Sequence, residues 1–501
     1  MPAELTVPIW VAIATGVLAC VAILDWLIAP LFRAILERRR ERSLAVLNRQ
    51  LRLRIAPFKL ARRKDLIAQL MLDADVLKAI EEEAARTGKP ARQVAKTARL
   101  YAKEIVPSFS ATMYFRVGTR MARWLATSLY RVRIGASDAK ALEGIDPTAT
   151  VVFVINHRSN MDYVLVTYLA SQSSALSYAV GEWARVPGLA GLIRLMGAYF
   201  IRRDSGNLLY RRVLSRYVHL ATAAGVTQAV FPEGGLSRTG ALQPPKLGLI
   251  AYMVSEFDPA AGRDIVFVPV GLNYDRVLED RVLTAAAAAP KGTRPKFGFN
   301  PLTFAGFLAR NVFGRMTGSW YRYGYACVSF GRPVSLREHL RNHGFNPRSA
   351  SPEQRFAGIE QLGQRLIGEV GRAVPALPVS LAALALLESR GEPVSPFELK
   401  GRMFALMREL ERAGADVYIP RADQDYAVDV GLRMLRLRHL VVEENGLLRP
   451  VAHEIGLLGY YANALVHHVG LEPFAVGPLP PTPAAVDVNS SPSAAAEPPG
   501  R

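Results

Sequence analysis

The residues best placed to do chemistry are a histidine and an aspartate five positions apart, His157 and Asp162, in the run Val154-Ile-Asn-His-Arg-Ser-Asn-Met-Asp-Tyr163. Val151 to Ile155 reads as a buried strand, Ser159 or Asn160 as a helix cap, and Met161 to about Ala170 as the helix that follows. Inside one continuous helix an i to i+5 pair points to different faces, but across a strand end, a tight turn and a first helical turn the two side chains can converge. A carboxylate on one ring nitrogen fixes the imidazole tautomer and stabilises the imidazolium, leaving the other nitrogen to take a proton from a hydroxyl. This is the Ser-His-Asp template without its serine, so the hydroxyl is the substrate's. An alcohol is a far weaker acid than an imidazolium of pKa ~6.5, so the proton leaves as the oxygen attacks, a general-base effect of roughly two to four orders of magnitude. Acyl transfer to an alcohol fits these residues; for the pair taken alone, a structural histidine at a strand end is the alternative.

Three later segments bring charge and glycine to the same edge of one sheet. Gly197-Ala-Tyr-Phe-Ile-Arg-Arg-Asp204 reads as a short strand ending in Arg202 and Arg203. Phe231-Pro-Glu-Gly-Gly-Leu-Ser-Arg-Thr-Gly240 is a glycine-rich turn after the apolar run Thr227 to Phe231, followed by Pro244-Pro-Lys246 and a helical stretch. Val268-Pro-Val-Gly-Leu-Asn-Tyr-Asp-Arg276 closes the set. Arginine at a strand end, backbone amides in a glycine turn and a lysine at a helix start make a phosphate cradle, because guanidinium groups bind phosphate oxygens bidentately. A hydroxyl on a phosphorylated small molecule is then the natural acceptor.

These four blocks, in order between about residues 155 and 280, resemble the large bacterial and mitochondrial glycerol-3-phosphate acyltransferases, a family of His-x-x-x-x-Asp acyltransferases. The resemblance implies His157 as the base and Asp162 as its orienting carboxylate. It implies Arg158, Arg202, Arg203, Glu233, Gly234, Gly235, Ser237, Arg238 and Lys246 as contacts of glycerol 3-phosphate, with Pro269 shaping the site wall. Leu236 stands where the family often has an arginine after the two glycines, which leaves Arg238 and Lys246 as the stronger phosphate contacts. Relatives that acylate lysophosphatidic acid usually read Pro-Glu-Gly-Thr-Arg in the third block, so Glu-Gly-Gly favours the first acylation step. Dihydroxyacetone phosphate stays open as an acceptor. The implied reaction needs no cofactor, only an acyl thioester as co-substrate, from acyl-CoA or an acyl carrier protein.

The elements that must position these residues fall into five expected segments: a transmembrane anchor over 1–32, a basic helical membrane-proximal region over 33–125, an acyltransferase domain over 126–345, a helical carboxyl-terminal domain over 346–475 and a disordered tail over 476–501. The expected fold class is α/β, a central mixed sheet flanked by helices. Residues 130–335 alternate strand-like with helix-like runs, and Leu209, Val213, Tyr217, Leu220 and Ala224 recur at helical spacing. From about Arg281 to Tyr325 a stretch rich in Ala, Gly, Phe and basic residues reads either as a membrane-facing cover or as a helical insertion. The end, from Gly477, is Pro-, Ala- and Ser-rich.

Val7 to Leu24 is an uncharged apolar run of 18 residues, roughly 27 Å as a helix, and Arg33, Arg38, Arg39, Arg40 and Arg42 follow it. By the positive-inside rule this sets the body on the cytoplasmic side of the inner membrane. A surface-lying helix is the alternative, since Pro8, Gly16 and Pro30 interrupt the run. A net charge of +19 over 501 residues points to an anionic partner, for which nucleic acid, anionic lipid and an acidic carrier protein all qualify; the family resemblance favours anionic membrane lipid and no nucleic acid. Two cysteines, Cys20 and Cys327, exclude a disulfide framework and a cysteine-based zinc site. No other histidine has a carboxylate in a comparable turn, and no metal is expected. A serine hydrolase using Ser159 or Ser237 would need a Gly-x-Ser-x-Gly elbow, which neither has. A membrane-tethered binder of polyanions, without turnover, is the competing class.

Overall fold

The computed structural model describes residues 55–137, 142–170, 174–181, 189–202, 206–260, 262–289, 306, 323–390 and 392–476. The chain divides into one unit of residues 1–55 with 172–174 and a second of residues 56–171 with 175–501. The sheet, the site and the helices described below belong to the second.

Its centre is an eight-stranded mixed sheet: β1 (Arg131–Ser137), β2 (Thr150–Ile155), β3 (Ser177–Val180), β4 (Tyr199–Phe200), β5 (Gln228–Val230), β6 (Ile265–Tyr274), β7 (Tyr325–Phe330) and β8 (Val334–Ser335). The order is β1-β7-β6-β2-β5-β3-β4, with β8 beside β6. From β6 through β2, β5 and β3 to β4 every pair is parallel, while β7 and β8 run antiparallel to β6. Parallel strands covered on both faces read as unbroken apolar runs, and all six residues of β2 and all ten of β6 are buried. Alternation divides them between faces: Val152 and Val154 join Val230 and Phe267 in one core with the helices Leu208–Ala223 and Pro352–Ala373, while Phe153 meets Phe330 on the other side.

The described part of the basic amino-terminal region is helical, as its patterning predicts. Ala74–Thr87 starts where the Asp73 side chain accepts from the amides of Asp75 and Val76, and it stops at Gly88. Val76, Ala79 and Ile80, with Val94, Ala98, Ala102 and Ile105 of the helix Ala91–Ile105, form the buried stripes that pack on Leu208–Ala223. The carboxyl-terminal region wraps around Pro378–Leu387, which is apolar on all sides and packs against Pro396–Arg412, Gln424–Leu437 and Ile455–Ala462. The expectation of helices alone over 346–475 needs one correction: β9 (Val441–Glu444) and β10 (Leu447–Pro450) form an antiparallel hairpin there. Its turn is Asn445-Gly446, both at positive φ, the dipeptide that a two-residue primed turn demands.

Part of the Arg281–Tyr325 stretch is ordered secondary structure, with Asp280–Ala288 a helix and Tyr325 opening β7. Residues 290–305 and 307–322, the apolar run Val7 to Leu24 and the tail from 477 lie outside the described residues. Among the described residues no helix is long and apolar enough to cross a membrane.

Candidate active site

Parallel strands deliver their carboxyl ends to one edge of the sheet, and the sequence motifs sit there. His157 follows the end of β2, Glu233 follows the end of its neighbour β5, and Tyr274 is the last residue of β6 on the other side. The helix Met161–Ala170 begins where expected, with the Ser159 hydroxyl accepting from the Met161 amide at 3.1 Å.

The turn between strand and helix folds around the Asp162 carboxylate, which is 0% exposed. Its Oδ2 accepts from the His157 ring Nδ1 at 2.9 Å and from the amides of Arg158 and Ser159 at 2.7 and 3.0 Å. Its Oδ1 accepts from the Tyr274 hydroxyl at 2.5 Å. A buried carboxylate is tolerable only with its oxygens satisfied, and here donors reach both. An ionised carboxylate only accepts, so the proton of the neutral imidazole lies on Nδ1 and the lone pair on Nε2. The His157 ring, 2% exposed, lies against Phe231 with ring centres 4.3 Å apart, and Tyr163 meets it edge-on at 5.4 Å.

The glycine-rich block is tied to the histidine's own backbone. The His157 amide donates to Glu233 Oε1 at 3.0 Å, and the Ser237 amide donates to the His157 carbonyl at 2.8 Å. Ser237 is buried, with its hydroxyl donating to the Ala241 carbonyl at 2.7 Å and accepting from the Gly240 amide at 3.1 Å, so it shapes the turn. Gly240 has φ +82°, and a Cβ there would lie 1.9 Å from the Tyr460 carbonyl oxygen. Only glycine lets the loop close against the carboxyl-terminal region.

Burial pushes the Glu233 carboxyl up to about 8 from its ordinary 4.5, against the pull of the His157 amide and the Arg158 charge. The native state then holds a proton that the unfolded chain releases. Its contribution to stability is complete below about pH 4.5 and is lost as pH rises to about 8. Glu233→Gln should remove this dependence, so the wild-type thermal midpoint falls relative to the variant between about pH 5 and 8. Parallel midpoints across that range would contradict it. At neutral pH the glutamine keeps the acceptor for the His157 amide and turnover stays within about threefold, whereas Glu233→Ala orphans that amide and loses about tenfold.

The cations expected around the phosphate divide into two groups. Arg238 and Lys246 are exposed and make no side-chain hydrogen bond or ion pair among the described residues. Arg238 directly follows Ser237, and the Lys246 stem lies over Gly234, beside Glu233 and Gly235. Arg202, by contrast, is gripped through Nε and Nη2 by both oxygens of Glu104, at 2.9 and 2.8 Å, beside the packed rings of Tyr101 and Tyr210. The Arg158 guanidinium is buried, donates to the Gly240 carbonyl and sits 5.1 Å over the Tyr460 ring, while its Nε and Nη2 find no partner among the described residues. It borders a narrow cleft with Asn156, Glu233, Leu242, Val374 and Ala464. Pro269 is buried inside β6, level with Val154, so it lies below the catalytic edge. Arg203 falls outside the described residues.

Four residues of the site carried no role in the sequence reading: Phe231, Tyr274, Glu279 and Tyr460. Glu279 braces the turn from outside, accepting from the Ser159 hydroxyl at 2.7 Å, the Asn160 amide at 3.2 Å and the Asn160 side chain at 3.0 Å. Phe231 was within reach of the sequence, since it sits directly before the Pro-Glu-Gly-Gly turn.

Comparison with known proteins finds two matching regions. The description of acyltransferases matches residues 138–273, and that of the glycerol-3-phosphate acyltransferase C-terminal region matches residues 315–475. The glycerol-3-phosphate acyltransferase of Aeromonas hydrophila subsp. hydrophila is 30% identical over 425 residues, 81% of this chain and 50% of that protein. Its namesake from Ectopseudomonas mendocina is 30% identical over 456 residues, 86% of this chain and 53% of that protein. The chain thus spans about half the length of the curated relatives it matches. The crystal structure of a 1-acyl-sn-glycerophosphate acyltransferase from Thermotoga maritima shares 18% identity over 62% of this chain and 97% of that one, with a TM-score of 0.28, an overlap too small to bear on the fold. With both regions on one chain in this order, and the His157–Asp162 pair inside the first, the chain belongs to the glycerol-3-phosphate acyltransferase family.

Proposed function

We propose that this chain transfers a long-chain acyl group from a thioester to the first hydroxyl of glycerol 3-phosphate, giving lysophosphatidic acid for phospholipid synthesis. The observation that carries the reading is the buried Nδ1–Asp162 hydrogen bond, which commits Nε2 to proton acceptance, on a turn hydrogen-bonded to the loop bearing two unpaired cations. The acceptor's phosphate binds Arg238, Lys246 and Arg203. Glu233 positions its hydroxyls, and Ser237 holds the turn that carries Arg238. Nε2 of His157 removes the hydroxyl proton as the oxygen attacks the thioester carbonyl; backbone amides carry the oxyanion, the C–S bond breaks, and the thiolate leaves with the returned proton.

The donor is acyl-CoA or an acyl carrier protein, and the enzyme sits on the cytoplasmic face of the inner membrane. The run Val7 to Leu24 with its following arginines supports this placement. So does the helix Thr119–Leu129 and the turn before it: Val117, Met121 and Trp124 are 45%, 47% and 48% exposed among the exposed Arg116, Arg120 and Arg123. The opposite side of that helix packs on Met161–Ala170, which bears Asp162.

The test is to offer radiolabelled glycerol 3-phosphate, dihydroxyacetone phosphate and lysophosphatidic acid in turn to membranes containing the protein, with acyl-CoA or acyl carrier protein as donor. Glycerol 3-phosphate is expected to be the preferred acceptor. In Arg238→Ala its KM should rise about tenfold or more, with the KM for donor within about twofold. A variant that leaves acceptor saturation untouched and alters chain-length preference would overturn the phosphate assignment. Salt-dependent binding of polynucleotide without turnover would favour a binding protein instead.

A further inference from the structure

The carboxylate that holds His157 is itself steered from a third strand. Tyr274 ends β6, its side chain is fully buried, and its hydroxyl is the one hydrogen-bond donor to Asp162 Oδ1 among the described residues. Oδ2 takes all the other donors: the imidazole and two backbone amides of the turn. The terminal torsion of an aspartate is broad and two-fold, so contacts on one oxygen leave the plane of the carboxylate loosely set. A donor fixed on the second oxygen sets it. Tyr274 is well anchored for this, since its backbone pairs with Ala326 of β7 and its ring packs 5.3 Å from that of Tyr130.

We infer that Tyr274 is a positioning residue for the acyl transfer: acting through Asp162, its hydroxyl fixes the plane of the carboxylate and withdraws part of its negative charge, which sets how strongly the imidazolium of His157 is stabilised. This rests on the reading of His157 as the base. Burial, then the neighbouring Asp162 charge, push the Tyr274 phenol well above its ordinary value of 10.0, so it remains a donor wherever the enzyme works. Tyr130 supplies the contrast. It is as deeply buried, but its hydroxyl donates to the Arg276 backbone carbonyl at 2.8 Å and touches no group of the reaction.

Tyr274→Phe removes only the hydroxyl. With the charge no longer withdrawn, the carboxylate stabilises the imidazolium more strongly, and the acid limb of the kcat/KM profile should move up by ~0.5 to 1 pH unit. Looser geometry should lower kcat about tenfold, with KM for both substrates within about twofold. A ring-fluorinated tyrosine at position 274, a stronger donor of nearly the same shape, should move the limb the other way; it also serves if the phenylalanine variant does not fold. Tyr130→Phe should leave the limb in place. An acid limb that stays where it is in both Tyr274 variants overturns the inference and makes Tyr274 packing alone. The base itself is tested by His157→Ala: if that enzyme turns over normally, the base reading fails. Nitrogen-15 NMR of labelled histidine then still decides the coupling, because a shifted Nδ1 resonance of His157 in Tyr274→Phe, reporting a changed hydrogen bond to Asp162, supports it and an unchanged resonance overturns it.

Discussion

Replacing His157 by alanine should lower kcat/KM for acyl transfer by about 10³-fold, within the two to four orders of magnitude that a positioned general base supplies. Neither neighbouring carboxylate can stand in. Asp162 is fully committed to four donors, and Glu233 is held protonated by burial at neutral pH, so neither offers a free base at the acceptor's hydroxyl. The fold should survive the change, because Asp162 keeps the Tyr274 hydroxyl and two amides after the imidazole is gone. Loss should therefore appear in turnover, with glycerol 3-phosphate binding retained. Radiolabelled acceptor and long-chain acyl-CoA, supplied to membranes carrying either form, give the comparison. Product formation within about tenfold of wild type would remove the proposed chemistry.

The largest effect on stability is expected next to the residue that braces the catalytic turn, since Asp280 directly follows Glu279. Arg438 and Asp280 form an ion pair at 2.6 Å with side chains only 8% and 5% exposed, and the Tyr461 hydroxyl bonds to both partners. Removing one member of such a pair leaves a charge in a place water does not reach, which typically costs ~3–5 kcal/mol. Arg438→Met should lose about that much in denaturant unfolding, and Asp280→Asn in the same chain should restore part of it, since two neutral groups replace one stranded ion. The exposed pair Arg402–Glu398, one helical turn apart, gives the scale for comparison: Arg402→Ala should cost under about 1 kcal/mol. Equal losses from the two arginines would mean that Asp280 is far better hydrated than its burial indicates.

What the sequence made legible was local. Val151–Ile155 and Met161–Ala170 announce themselves through an apolar run, a cap and a change of period, and both expected bounds lie within a residue of the observed ones. The same locality made the His157–Asp162 bond visible, because only a turn separates the two. Tyr274, Glu279 and Tyr460 reach the turn from more than a hundred residues further along the chain, and no periodicity reports which strand or helix will lie beside β2. Arg202 shows the reverse failure. Its type and place at a strand end suit a phosphate, but Glu104, on a helix that precedes the whole sheet, already holds it with two charge-assisted hydrogen bonds. The hairpin at Asn445-Gly446 was legible and was hidden by the surrounding helical pattern.

The Tyr460 carbonyl fills the space that any side chain at position 240 would need, and the Tyr460 ring roofs the Arg158 guanidinium. The seam between the two family matches is therefore no place to cut. A recombination event that carried the first region into another gene without the second would deliver the reactive turn with its lid torn off. Inheritance should keep the two together, however freely the segments on either side come and go.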